Sequence, residues 1–368
     1  MSSQLKVNSI SDAAGANGNA ITLATDGTCT AKVTNNLSNR NLIINGAMQI
    51  AQRGTSSTSN GYQTVDRFSH YSGGGTTTWS VGTETSGTVW ALGLRKYLRC
   101  TNTANATAAG NYREITYKIE NQDLMDSGWS FASTSSKLTL SFWVRASVAQ
   151  VYYGRIRWMG DSADSNFVFS TGSLTADTWT KVTVSIPGKS GKTVTDGGGQ
   201  PDNTSLFQLN WSPFQGTDGT ASGVALNQWN AYSGSDKYPD FTTTWGSTNG
   251  ATFDITGVQL EVDRTGSGVA TDFENRTYGD ELSRCQRYFI KVDTSMVARG
   301  YQNYGEQVCL WPTTMRANPT TAGTANNSDA SSGWVSAKTT GLDMGADFGT
   351  GASARYGYDD GWTAEAEL

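Results

Sequence analysis

The sequence predicts an all-β chain whose centre is a two-sheet sandwich. Three observations carry that reading. Many short segments alternate apolar and polar residues with a period of two, as a strand with one face in a core requires. The composition, with 42 Gly, abundant Ser, Thr and Asn and only 16% charged residues, describes strands joined by many turns. A fold of alternating strands and helices would normally carry more Leu, Ala, Lys and Glu. Helical periodicity sustained over a dozen residues is almost absent.

At 368 residues the length suits two domains, or one long β-domain with appendages. The aromatic content, 12 Trp, 15 Tyr and 12 Phe, is enough to fill a sizeable core and leave some rings at the surface. Each buried ring removes roughly 150–250 Å² from water, so disulfides are not needed. Cys29, Cys100, Cys285 and Cys309 stand too far apart for a zinc spacing and read as free thiols, with Cys100 and Cys285 at least partly buried.

In chain order, residues 1–38 hold too few apolar side chains for a core. Leu5, Val7 and Ile10 are isolated among polar residues, and 13–19 is an Ala/Gly/Asn stretch. Such a segment orders against something else, commonly by adding a strand. From 41 to 54, NLIINGAMQIAQRG places Leu42, Ile44, Met48 and Ile50 on even positions around Gly46. Short alternating strands follow, around Trp79 and Val81, around Leu94, Leu98 and Cys100, and around Ile115, Tyr117 and Ile119.

Residues 137–147, KLTLSFWVRAS, form the clearest strand. Leu138, Leu140, Phe142, Val144 and Ala146 point inward, leaving Thr139, Ser141, Trp143 and Arg145 outside. The next strand, 150–158, puts Tyr152, Ile156 and Trp158 on one face and Tyr153, Arg155 and Arg157 on the other. Residues 179–187 and 205–211 add two more. A long connection, 212–250, carries Phe214, Trp229, Tyr232, Tyr238, Phe241 and Trp245 in a Gly/Ser/Thr/Asn/Asp background. Connections of that length inside a compact domain are uncommon and often functional.

The stretch 251–289 closes the domain. Phe253 and Ile255 alternate in one phase and Val258, Leu260 and Val262 in the other, which a β-bulge at Gly257 would reconcile. A loop and the turn Tyr278-Gly279-Asp280 lead to a short helix from 281 to 289. The expected organisation is a segment 1–38, a sandwich 39–276, a hinge with a short helix 277–290, and a small β-domain 291–368. The last is thin in large apolar side chains, which argues for oligomerisation.

The pairing of NLIINGAMQIAQRGT and YQTVDRF with ITGVQLEV and YGDELSRCQRYF resembles tail-fibre and related receptor-binding proteins of tailed bacteriophages. The resemblance runs over about residues 5–289, with MRANPT and the closing AEAEL beyond it. It implies a jelly-roll sandwich similar to carbohydrate-binding modules, bracketed by these segments. It also implies attachment to other virion proteins through residues 1–38, a place in the tail or fibre after assembly in the host cytoplasm, and a homotrimer. Its motifs mark strands and hinges, not chemistry.

Several function classes lose support. A net charge of −5 and a pI near 5.0, without a Lys/Arg stripe, argue against nucleic acid. No run of eighteen apolar residues calls for membrane insertion, and the first residues carry no secretory pattern. The single histidine, His70, reads as a half-exposed loop residue. Glu114, Glu120 and Asp123 are the nearest to a glycosidase pair, but Glu114 reads as a solvated charge beside Lys118. Asp263, Thr265, Ser267, Gly268 and Glu274 have the spacing of a calcium loop but read as a plain polar loop. No cofactor, metal or catalytic residue is assigned, and the protein is expected not to be an enzyme.

What remains is a sugar-binding surface, since sugars are recognised by aromatic faces flanked by polar groups. The candidates are Trp143 with Tyr153, Arg155 and Arg157 on the outward strand faces, and Trp229, Tyr232, Tyr238 and Trp245 in the long connection. The expected partner is host cell-surface polysaccharide or lipopolysaccharide. Two other readings stay open: a capsid-associated or fibre-connecting protein without a receptor, and a polysaccharide-degrading enzyme.

Overall fold

The computed structural model describes residues 9–11, 19–23, 29–31, 39–159, 164–192, 194, 203–292, 296–301, 305–322, 325–326, 332–347, 353–358 and 362–368. Leu5, Val7 and Tyr304 lie outside them, as do the side chains of Ile10, Cys29, Tyr301 and Trp334. Contacts divide the chain into Met1–Asn39 and Arg40–Leu368. The first unit is an antiparallel sheet of β1 (Ser9–Ser11), β2 (Asn19–Leu23) and β3 (Cys29–Ala31).

In the second unit β4 (Ser56–Ser57), β5 (Phe68–Gly73), β6 (Thr77–Thr83), β7 (Lys96–Asn102), β8 (Tyr112–Ile119), β9 (Lys137–Ala146) and β10 (Val151–Trp158) come first. They are followed by β11 (Ser165–Ser173), β12 (Thr180–Pro187), β13 (Phe207–Gln215), β14 (Trp229–Ala231) and β15 (Thr252–Asp263). These twelve strands form two six-stranded antiparallel sheets, β12-β9-β15-β7-β6-β4 and β14-β11-β10-β13-β8-β5. Sequential strands alternate between the sheets in several places, so the sheets face each other as a jelly-roll sandwich.

One phase of each strand fills the space between the sheets. Leu138, Leu140, Phe142, Val144 and Ala146 of β9 are all fully buried there, as are Tyr152, Ile156 and Trp158 of β10. Rings cross from sheet to sheet: Phe142 meets Phe169 at 6.0 Å and Trp211 at 5.8 Å, and Tyr152 meets Phe253 at 5.3 Å. Short α-helices interrupt the connections, α1 (Thr88–Ala91), α2 (Asn121–Asp126) and α3 (Thr244–Ser247).

The phase change in β15 is a bulge. Its register against β9 shifts between Thr256 and Gln259, and Gly257 takes φ 60°, a conformation glycine reaches without penalty. Phe253, Ile255, Val258 and Leu260 therefore all face the core. β7 pairs with β15 only as far as Ile255. Beyond that point residues 41–46 take the open edge: Leu42 N–H donates to Leu260 O at 2.8 Å and Val258 N–H to Gly46 O at 2.9 Å. Gly46 is needed here, because a Cβ would lie 2.1 Å from Val258 O.

After β15 comes α4 (Tyr278–Gln286), capped by Thr277, whose hydroxyl oxygen accepts from Asp280 N–H at 3.3 Å. The strands that follow are β16 (Phe289–Val292), β17 (Met296–Tyr301), β18 (Gly305–Leu310), β19 (Thr320–Ala322), β20 (Ala325–Asn326), β21 (Ser332–Lys338), β22 (Gly341–Asp347), β23 (Ser353–Tyr358) and β24 (Trp362–Glu365). They form three three-stranded sheets, β16-β24-β19, β17-β23-β20 and β18-β22-β21. The runs 289–310, 320–338 and 341–365 thus each supply one strand to all three. Trp311, which follows β18, packs against Trp362 of β24 with ring centroids 5.5 Å apart.

Ionic and backbone bonds tie these strands to the sandwich. The Glu367 carboxylate lies between Arg67 and Arg53, and Arg316 donates to the carbonyls of Ala366 (2.7 Å), Glu367 (2.9 Å) and Asn203 (2.8 Å). Leu368 O accepts from Lys118 Nζ at 2.8 Å and from Tyr62 Oη at 3.3 Å. Arg67 and Arg53 also sit over the rings of Tyr288 (3.5 Å) and Phe289 (3.7 Å). From Arg40 onward the contacts form one unit.

Candidate functional site

The polar phase of the second sheet makes a continuous outer face. Because Tyr152, Ile156 and Trp158 of β10 turn inward, Tyr153, Arg155 and Arg157 turn outward. Register sets their neighbours. Arg157 lies opposite Gln208 of β13, which lies opposite Lys118 of β8; Arg155 lies opposite Asn210, which lies opposite Thr116. Tyr71 of β5 stands opposite Glu114.

Side chains link across the strands. Gln208 Nε2 donates to Asn210 Oδ1 at 3.2 Å, and Asn210 Nδ2 donates to Thr116 Oγ1 at 2.8 Å. Arg155 donates to Glu114 Oε1 at 2.9 Å and to Tyr238 Oη at 3.1 Å. Arg157 donates from two nitrogens to Asp164 Oδ2, at 2.8 and 2.5 Å. The Tyr232 ring lies 4.2 Å from the Arg157 guanidinium and 5.5 Å from that of Arg155.

Electrostatics follow from this packing. Burial alone would lower the Arg155 pKa, but the Glu114 carboxylate holds it above the usual value, so Arg155 stays charged. Burial pushes the Tyr238 hydroxyl up, with Glu114 adding to the effect. Lys118 is held below its ordinary range by burial and by Arg67 nearby.

Amide, hydroxyl, carboxylate and guanidinium groups thus occupy a strip flanked by Tyr232 on one side and Tyr71 on the other. Both tyrosines are half-buried. Asn210 and Thr116 are buried and support the strip, while the half-buried Arg157, Gln208, Lys118 and Glu114 offer polar groups to hydroxyls and the tyrosine rings a face to C–H groups.

The eight residues singled out from sequence separate into two groups. Tyr153, Arg155, Arg157, Tyr232 and Tyr238 come together on this face. Tyr238 is fully buried under Phe241, 5.8 Å away, so it anchors the covering loop and cannot stack on a sugar. Arg155 is only 3% exposed and is a support for the strip. Tyr153 packs edge-on against Phe241 at 5.0 Å.

The remaining three lie elsewhere. Trp245 is fully buried between Gln150 and Thr252 O, which its indole N–H reaches at 3.0 Å. Trp229 packs on Trp158 and Phe167 and donates to Pro187 O at 2.8 Å, closing the sandwich edge. Trp143 is on the outer face of the other sheet, where it packs with Val89, Leu94, Trp179 and Phe273. None of these three belongs to the strip.

Other expectations are corrected. His70 is a buried strand residue stacked on Trp79 at 4.5 Å, and burial drives its pKa down to about 3, so it is neutral. Glu114 is an ion-pair partner on the strip and not a solvated charge. Glu120 is fully buried and tied to Arg287, at 2.9 Å, and to Tyr288. In the calcium-like loop, Asp263 accepts from Thr265 N–H (3.1 Å) and Gly268 N–H (2.7 Å), which occupies its carboxylate with the loop's own backbone. Cys100 and Cys285 are buried free thiols.

Sequence reasoning missed Tyr71, Thr116, Lys118, Gln208 and Asn210. A signal for most of them existed: the outward phases of YREITYKI and FQLNWS carry amides and charges beside their hydroxyls.

No protein-family model matches the sequence, and no curated protein is similar to it. Solved structures do resemble it. A tailspike domain of bacteriophage CBA120, described as enzymatically active, matches at 11% identity over 61% of this chain and 21% of its own, with a TM-score of 0.31. This chain therefore spans about a fifth of that one. A cellulose-binding domain of a Cellulomonas fimi glucanase matches at 12% identity over 57% of this chain and 96% of its own, TM-score 0.29. A xylan-binding domain from Paenibacillus barcinonensis matches at 14% identity over 52% and 91%, TM-score 0.28. At such overlap the sandwich assignment rests on the sheet order and register given above.

Proposed function

We propose that this chain is a virion structural protein of a tailed phage, a fibre or fibre-like adhesin that binds host surface glycan without cleaving it. The observation that carries the reading is the outer strip of β10, β13 and β8, where the half-buried Arg157, Gln208 and Lys118 lie in register beside the Tyr232 ring. The phage setting is supported by the resemblance of NLIINGAMQIAQRGT, YQTVDRF, ITGVQLEV and YGDELSRCQRYF to tail-fibre proteins. On the same ground residues 1–38 attach to other virion proteins and the assembly is a homotrimer.

The test is binding of the purified full-length chain to host cells, beside Tyr232→Ala. Loss of the ring is expected to weaken binding by about 1–3 kcal/mol. Tyr232 touches no core cluster, so the melting temperature should hold. Equal binding by a folded Tyr232→Ala protein would remove the strip from the site. Immunogold labelling that places the protein on the capsid and off the tail would favour the connecting-protein reading.

A further inference from the structure

We propose that Asp66 is a proton switch for the seating of the C-terminal strands on the sandwich: seating takes up a proton on this carboxylate, so the strands are held in mildly acid solution and loosened above neutrality. The seam places this side chain, 1% exposed, among groups it shares with those strands. Gln52 Nε2 donates both to Asp66 Oδ2 at 2.5 Å and to Phe289 O, at the start of β16, at 2.9 Å. Arg53 is divided among three carboxylates: Glu367 at 3.2 Å, Glu365 at 3.4 Å and Asp66 at 3.7 Å. The contact with Asp66 is the longest and lies beyond hydrogen-bond reach. Glu365 is 46% exposed and solvated, and Glu367 is also held by Arg67, so Asp66 is the carboxylate left without a close cation.

The other groups around Asp66 do not take up its charge. Arg67 is bound to Glu367, to Lys118 O at 2.8 Å and to the Tyr288 ring. Glu281 of α4 is a further anion, which accepts from Asn45 N–H and lies 3.5 Å from Arg276. Burial pushes Tyr62, Cys285 and Tyr288 up, so all three stay neutral. Burial, with Glu367 adding to it, accordingly raises Asp66 to about 6 against the pull of its Gln52 bonds and Arg53.

Lifting the strands reverses each of these conditions. Gln52 loses Phe289 O, Arg53 loses Glu365, Glu367 and the Phe289 ring 3.7 Å from it, and water reaches the carboxylate. Asp66 then returns towards its ordinary value of 3.8, free to pair with Arg53. The seated form has the higher pKa, so the extra stability of seating is complete below about 3.8 and is lost as pH rises through about 6. Between pH 5 and pH 7.5 the equilibrium for lifting should grow about tenfold. His70, the single histidine, is neutral across that window, because burial holds it at about 3.

The experiment follows amide hydrogen exchange of the full chain at pH 5 and pH 7.5, each rate divided by that of the unstructured sequence at the same pH. The reporters are Arg316 and Ala366, whose N–H groups donate across the seam to Arg287 O at 2.8 Å and Tyr288 O at 2.7 Å. Amides inside β9 report unfolding of the whole chain. Protection of Arg316 and Ala366 is expected to fall about tenfold at the higher pH while staying below that of β9. In Asp66→Asn it should be the same at both pH values. Equal protection of the wild-type seam at the two pH values would overturn the switch, whether or not the variant folds. An undiminished fall in folded Asp66→Asn would overturn it too. So would seam and β9 amides exchanging at one common rate, because the chain would then open only as a whole.

Discussion

Between the two sheets of the sandwich, Phe142, Trp158, Phe169 and Trp211 are all at most 1% exposed and belong to one cluster that draws on eleven of its strands and the loops between them. The described C-terminal strands gather a much smaller cluster: Ile290, Trp311, Met315, Leu342, Trp362, Ala364 and Ala366. Their place on the sandwich is held by a different kind of contact, in which Arg53, Arg67, Lys118 and Arg316 converge on residues 366–368. Apolar burial is non-directional and scales with area, so it suits a large closed core. A small element that must sit at one place and register is better fixed by directional, charge-assisted bonds.

The largest expected effect breaks the first half of that comparison. Phe142→Ala removes a fully buried ring between both sheets and should cost about 4 kcal/mol, seen as one cooperative shift in urea unfolding. A loss confined to the C-terminal strands would contradict the central role given to this core.

Glu367→Ala tests the other half. Glu367 has a side chain 5% exposed beside an Arg67 that is 1% exposed, so its removal leaves a buried cation without its counter-charge. The cost should be roughly 3 kcal/mol, at the low end for a broken buried pair, because Arg67 keeps Lys118 O and the Tyr288 ring. Limited proteolysis should then cut the C-terminal strands well before the sandwich. Uniform resistance would show that the strands hold by themselves.

An effect of comparable size sits at the junction between the two regions. Burial raises the Asp66 pKa from 3.8 to about 6, against the pull of its Gln52 bonds and Arg53. The folded chain therefore binds this proton more tightly than the unfolded chain. Its contribution is fully present below about 3.8 and is lost as pH rises through about 6, a change on the order of 3 kcal/mol. Asp66→Asn should flatten that part of the stability–pH profile; an unchanged slope between pH 4 and 7 would refute the assignment.

The smallest effect sharpens the sandwich side. Gly257→Ala keeps φ at 60° and places a methyl 2.7 Å from Leu94 Cδ1 and 3.0 Å from Trp143 Cδ1. A loss of about 1 kcal/mol is expected in thermal unfolding, because one flexible side chain can yield. A neutral or stabilising result would show that the bulge does not need glycine.

The candidate site was only partly legible. Strand alternation placed Tyr153, Arg155 and Arg157 on a common outer face, as found. The aromatic content of the long connection marked that segment, yet Tyr238 and Trp245 serve as anchors and only Tyr232 flanks the strip. A ring in a polar loop looks the same in sequence whether it faces water or plugs a hole. Glu114 illustrates the same limit: its neighbour at Lys118 suggested a solvated pair, while its partner is Arg155, two strands away in the sheet.

Local pattern by itself determined the all-β class, the inward and outward faces of β9 and β10, the bulge in β15 and the short helix after it. Each of these depends on residues within a few positions, where the pleat and the conformational freedom of glycine act directly. The order of strands in the two sheets, the seating of 41–46 on the free edge of β15, the burial of His70 and the clamp on Glu367 were decided only by the tertiary structure. They join residues up to 314 positions apart, as Arg53 and Glu367 are. Contacts at that separation leave no periodic trace in the chain, because the partners are selected by packing and desolvation once the sheets have closed.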